Sequence, residues 1–198
     1  MRPLALVLIF VGWSLSASAG GWAQNRSERQ YFAALGVDAW VSMERDSRPL
    51  YLGAFWGPDW LAGIKYAQEP DYRRSGVRYD LDEAGVWGRW FWGETTNLKA
   101  GLSRMQGQWN ESLGSAAYQA QAEAWRVSLG AGNQWHFGAR WVISLDWAVY
   151  NHRLNFTQSY QAASQNAAIN NQVASQADEL RNLWGYPGLA ELSFGYSF

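Results

Sequence analysis

Apolar and polar side chains alternate along most of this chain with a period of two, and the alternation falls into eight segments. In 31–44, Leu35, Val37, Ala39, Val41 and Met43 stand against Gly36, Asp38, Trp40 and Ser42; in 49–56, Leu50, Leu52, Ala54 and Trp56 share one face. Segment 60–67 sets Trp60, Ala62, Ile64 and Tyr66 opposite Leu61, Gly63 and Lys65, and 80–92 sets Val86, Gly88, Trp90 and Trp92 opposite Gly85, Trp87, Arg89 and Phe91. In 97–109, Leu98, Ala100 and Leu102 oppose Lys99, Gly101 and Ser103, and in 118–131 Trp125, Val127 and Leu129 oppose Arg126, Ser128 and Gly130. Segment 139–150 places Trp141, Ile143, Leu145, Trp147 and Val149 against Val142, Ser144, Asp146 and Ala148, and 188–198 ends with Leu192, Phe194, Tyr196 and Phe198 on one side. A period of two is that of a β-strand with two different faces.

The intervening stretches have turn or loop composition: 57–59 (Gly-Pro-Asp), 68–79, 93–96, 110–117 and a turn around Gly132-Asn133-Gln134. The link 152–187 is much longer and rich in Ala, Gln, Asn and Ser. From Ser164 onward, Ile169, Val173, Ala177, Leu180 and Trp184 recur at spacings of four, four, three and four until Gly185 and Pro187. That stripe predicts a short amphipathic helix lying on the barrel mouth or on the leaflet surface, although its Gln/Asn content also describes an unstructured polar loop.

The two faces differ in kind. One is apolar throughout, whereas the other carries Asp38, Lys65, Arg89, Lys99, Arg126, Asp146 and Glu191 among glycines. An even number of such strands closes into an antiparallel barrel with lipid outside and a polar lumen inside, the reverse of a soluble lipocalin-like barrel. Eight strands leave room for side chains and not for a wide channel, so the charges are expected to form a paired network that fills the interior. Composition agrees: 14 Trp, 16% aromatic residues and a mean hydropathy of -0.33 describe aromatic enrichment without a second helix-length apolar run, which excludes a helical membrane protein. The absence of cysteine removes disulfides and thiolate metal sites.

The start of the chain has the layout of a secretory signal peptide: Met1-Arg2, an apolar run from Leu4 to Val11, and Ala17-Ser18-Ala19. That run is shorter than the about 20 apolar residues of a membrane anchor. Cleavage is expected after Ala19, with Ala23 offering a second site. Taking Arg2 from the 16 basic residues leaves 15 against 17 acidic ones, a balance with no nucleic-acid signature.

The closing run Leu192-Ser193-Phe194-Gly195-Tyr196-Ser197-Phe198 resembles the C-terminal signal of Gram-negative outer-membrane barrels, with Ser193 where that family tends to have Gly. With the eight segments, the chain over 31–198 resembles the small eight-stranded outer-membrane proteins, the group of the OmpA transmembrane domain and OmpX. The resemblance implies recognition of Leu192, Phe194, Tyr196 and Phe198 by the barrel assembly machinery, an outer-membrane location among lipid and lipopolysaccharide, and 20–30 as an N-terminal periplasmic segment. With the N-terminus in the periplasm, the short links 57–59, 93–96 and the Gly132 turn are periplasmic, and Tyr31, Trp56, Trp60, Trp90, Trp92, Trp141 and Phe198 form an aromatic girdle at that interface.

The same fold holds adhesins, envelope-integrity proteins and a few lipid A-modifying enzymes, and fold alone does not choose among them. His136 is expected in a periplasmic turn facing headgroups, and His152 near the outer leaflet. No serine stands at a triad-like spacing from His152, the His-x-Ser-Asn motif of barrel deacylases is absent, and no phosphate loop, metal-ligand spacing or nucleotide fingerprint occurs. The expectation is a non-enzymatic structural or surface-binding envelope protein without cofactor or metal, any surface ligand engaging 155–184. A lipid A acyl hydrolase or transferase is the alternative.

Overall fold

The structure, a computed structural model, describes residues 26, 28–37, 48–74, 77–113, 116–137, 140–161, 167–183 and 191–198. The signal peptide, Asp38 and the remainder of the first predicted segment, 39–44, lie outside them. Eight strands follow in chain order: β1 (Tyr31–Val37), β2 (Leu50–Phe55), β3 (Trp60–Arg74), β4 (Val77–Phe91), β5 (Thr96–Leu113), β6 (Ala116–Phe137), β7 (Trp141–Gln161) and β8 (Glu191–Ser197). Each pairs antiparallel with its sequence neighbour, and β1 pairs with β8, closing a barrel; between β7 and β8 the described residues include a helix, α1 (Ala167–Leu183). At the seam Leu35 faces Phe194, and Tyr31 and Phe198 exchange backbone hydrogen bonds of 2.9 and 3.1 Å. Closure leaves no unpaired strand edge around the shared girth, which is what a β-structure in hydrocarbon requires.

Tight curvature needs small residues where backbones approach. A Cβ on Gly63 would lie 1.9 Å from the Leu52 carbonyl oxygen, and Gly63 faces Gly53 across the β2–β3 ladder. At the β2–β3 turn, Gly57 takes a φ of 77°, a left-handed conformation that glycine adopts without strain.

The strands run further than the alternation alone indicated. The predicted loop 68–79 is the hairpin of β3 and β4, paired as far as Arg74 and Val77. Its loop-like look comes from a bulge at Pro70-Asp71, where Asp71 has a φ of 63° and its amide donates to Asp80 Oδ1 at 3.2 Å. Residues 110–113 and 116–117, taken as a link, are strand paired in β5 and β6. Gly132-Asn133-Gln134 is not a turn. β6 continues to Phe137, and Gly132 sits at a register shift where a Cβ would meet the Leu145 carbonyl oxygen at 2.4 Å. The same shift leaves Trp147 unpaired and reverses the phase of β7 beyond it: Val149, expected outside, pairs with inward Gly130, while Ala148 is exposed. The long link begins only after Gln161, because β7 pairs with β6 throughout 152–161 apart from a second shift at Leu154.

β3 to β7 hold 15 to 22 residues, against 6 or 7 in β1, β2 and β8. The outward row of β5 passes from Leu98, Ala100 and Leu102 to Arg104, Gln106 and Gln108, and that of β6 from Leu129, Val127 and Trp125 to Glu123 and Gln121. Arg104 and Glu123, joined by hydrogen bonds of 2.8 and 2.7 Å, mark where the apolar belt stops and a polar wall begins.

Candidate functional site in the interior and at the mouth

The inward row of β4 traverses the interior from one end to the other: Phe91, Arg89, Trp87, Gly85, Glu83, Leu81, Tyr79 and Val77. Apolar, charged, apolar, charged and again apolar levels follow, so the charges expected in a polar lumen sit in levels between apolar layers.

The end at which β1 begins and β8 finishes is sealed from below. Arg26 donates through Nε, Nη1 and Nη2 to the carbonyls of Pro58, Glu94 and Gly93 at 2.6, 2.5 and 3.0 Å, and its guanidinium lies 4.2 Å from the centre of the Phe91 ring. One buried side chain thus ties the β2–β3 turn to the β4–β5 turn. Burial, partly offset by the charges of Glu94 and Asp59, holds its pKa below the ordinary value. Above it Phe32, Phe55, Leu61, Phe91 and Val142 form an apolar layer with Trp87 and Tyr51.

Of the seven charged residues expected inside, Asp38 lies outside the described residues and the other six face inward. Lys99 Nζ is 2.6 Å from Glu191 and 3.2 Å from Asp146, and Arg89 is 2.7 Å from Asp146. Tyr51 donates its hydroxyl to Glu191, and Arg89 donates to Asn97 Oδ1 at 3.2 Å. Two cations and two carboxylates therefore neutralise one another. Nearer the mouth Lys65 lies 3.3 Å from Glu83, which also pairs with Arg126. Burying such groups costs several kcal/mol per ion, on the order recovered only when geometry and hydrogen bonding are complete. Glu83 is not among the expected inward charges although it shares the phase of Gly85, Trp87 and Arg89. Arg26 and Tyr51 carry no sequence signal for their roles, which arise from closure.

His136 does not face headgroups. Since β6 continues past Gly132, His136 keeps the inward phase and is buried beside Gln134, 3.2 Å from its amide nitrogen, with Ser144 donating to Gln134 Oε1 at 3.2 Å. His152 is exposed and lies parallel to the Tyr150 ring at 6.4 Å. Among the described residues neither forms a hydrogen-bonded pair with a serine, and no three metal-capable side chains gather.

The mouth is occupied by α1. Val173 and Ala177 are buried against an apolar wall containing Tyr79, Leu81, Met105, Trp109 and the alanines 120, 122 and 124, and Trp109 Nε1 donates to Gln176 Oε1 at 2.8 Å. Burying Val173 contributes about 1.5–2 kcal/mol and the hydrogen bond about 1 kcal/mol. On the same face the buried side-chain oxygen of Asn170 finds no partner among the described residues, a cost of about 1–3 kcal/mol. Beside the helix an open pocket of about 380 Å³ is lined by Arg153, Asn155, Phe156, Gln158, Asp178 and Arg181, with Arg153 donating to the Arg181 carbonyl.

Outside, Tyr31, Trp56, Trp60, Trp90, Trp92, Trp141 and Phe198 are all exposed at the Arg26 end. They form contiguous groups: Trp60–Trp90 at 6.3 Å, Trp90–Trp92 at 6.0 Å, Tyr31–Phe198 at 5.8 Å, and Trp141 against Phe194 and Tyr196 at 5.1 Å each. Leu192, Phe194, Tyr196 and Phe198 share this outer surface.

No known family pattern matches this chain, and no curated protein is detectably similar. Among solved structures, it is similar to the N-terminal β-barrel domain of Pseudomonas aeruginosa OprF, at 10% identity and a TM-score of 0.46, covering 85% of this chain and 96% of that one. Acinetobacter baumannii CarO is similar at 12% identity and a TM-score of 0.41, with the same coverage.

Proposed function

We propose that this chain is an integral outer-membrane barrel with a closed interior, serving the cell envelope by structure and surface binding and not by transport or catalysis. The observation that carries this reading is the filled lumen: Arg26 and an apolar layer at one end, two ion-paired levels in the middle, and an apolar layer beneath α1 at the other. The membrane reading is supported by the exposed apolar belt, which hydrocarbon would cover, and by its aromatic border, whose rings suit the headgroup level. The short turns support a periplasmic Arg26 end, and the long strands with α1 support an outward mouth. Lipid and lipopolysaccharide are then the lateral partners. The assembly machinery reads Leu192, Phe194, Tyr196 and Phe198, and a surface ligand engages 155–184.

Mass spectrometry of lipid A from cells with and without the protein tests the non-enzymatic part. Identical acylation patterns are expected; a change in acyl number that depends on His152 would establish an enzyme instead.

A further inference from the structure

We infer that α1 is a lid over a blind basin in the mouth, and that the basin takes a small aromatic molecule carrying one hydrogen-bond acceptor. This rests on the closed-barrel reading above and names the ligand class of its binding role. The basin wall is continuous across three strands: Tyr79 on β4, Met105 and Trp109 on β5, and Ala120, Ala122 and Ala124 on β6. On that wall the three alanines of β6 stand beside the Tyr79 and Trp109 rings, whose centres lie 5.6 Å apart. The floor is the Glu83–Arg126 ion pair, below which the filled interior continues, so a guest enters and leaves by the mouth.

What covers this wall is a fragment of the chain itself. On one face of α1, Val173 and Ala177 supply the apolar bulk, and Gln176 supplies a carbonyl oxygen to the Trp109 N–H. That is the pattern of the guest: an apolar body with a single acceptor aimed at Trp109. The pseudo-ligand is imperfect, because Asn170 on the same face buries an oxygen that finds no partner among the described residues. A buried acceptor without a donor favours the undocked state, where water satisfies it. A guest that brings only the acceptor Trp109 can satisfy therefore competes with the helix on favourable terms. Two flat aromatic rings with an adjacent small-residue wall suit a planar ring better than a flexible chain, since offset and edge-on ring packing adds to area burial.

Met105 makes the lid measurable, because it is buried under the lid and its oxidation by dilute hydrogen peroxide is read by peptide mass spectrometry. The full chain in lipid nanodiscs is compared with Val173→Asp and the milder Val173→Ala, each first shown to retain its folded gel band. Met105 is expected to oxidise about tenfold or more faster in Val173→Asp, with Val173→Ala between. Adding 2-acetylnaphthalene should restore protection, and 2-ethylnaphthalene, which lacks the acceptor, should restore less; Trp109→Phe in the same background should erase that difference. Equal Met105 oxidation in wild type and in both folded variants would overturn the lid. Faster oxidation that neither naphthalene slows would overturn the ligand site. Steady ionic conductance would instead contradict the closed barrel, whatever the naphthalenes do.

Discussion

At the scale of single residues, the interior is held by groups that cannot be removed one at a time. Lys99 serves both Asp146 and Glu191, so Lys99→Met leaves two buried carboxylates against one guanidinium. Breaking a buried pair in this way costs about 3–5 kcal/mol, and urea unfolding in detergent should show a loss of that order. Arg104→Ala, on the exposed Arg104–Glu123 pair, should leave the same transition unmoved. Arg26 makes a different prediction. Its three carbonyl contacts and the Phe91 ring above it close the base, so Arg26→Ala should admit water to His136, while Arg26→Lys should restore part of the seal. Acylation of His136 by diethyl pyrocarbonate, mapped by mass spectrometry with exposed His152 as the internal control, should be slow in the wild type and several-fold faster in Arg26→Ala. Equal rates would remove Arg26 from the seal.

At the scale of elements, the alternation carried most of the strand assignment because a half-lipid, half-lumen strand obeys a period of two more strictly than a soluble one. It failed where composition imitated a turn. Gly132-Asn133-Gln134 reads as a loop in any sequence, yet here the glycine is required by the approach of the Leu145 carbonyl within a ladder, and Pro70-Asp71 likewise marks a bulge. The helical stripe was legible, since Val173 and Ala177 fall at helical spacing and do face the wall. The depth of α1 in the mouth was not, since it depends on β4, β5 and β6 curving round it. The β7 shift gives a sharp test of register. Cysteine placed at Ala148 should react with a lipid-phase label and cysteine at Val149 should not, the reverse of uninterrupted alternation, and the pair Ile143 and Ser144 should behave as outside and inside. In β8, Phe198→Asp should lower the assembled fraction in outer-membrane preparations, whereas a small polar substitution at inward Ser197 should not; equal assembly of Phe198→Asp and wild type would contradict a recognised terminal aromatic.

At the scale of the whole molecule, five tall strands stand on a short seam. About 3.3 Å per residue makes the 22-residue β6 far longer than an apolar band of about 25 Å, so the polar upper wall and α1 project beyond the belt. The membrane part should resist detergent as a unit: unboiled and boiled samples should migrate differently on SDS gels, because the closed ladder offers no edge at which to open. Replacing 162–184 by a short Gly/Ser linker should keep that heat-modifiable behaviour, since it touches no described strand, and should remove any ligand-dependent phenotype. The central claim is that the interior is full, with two ion-paired levels between apolar layers and a seal at each end. Planar-bilayer recording of the purified full chain tests it most directly. Little or no steady conductance is the result predicted, whereas large, stable, ohmic channels would contradict a filled barrel and make the protein a pore.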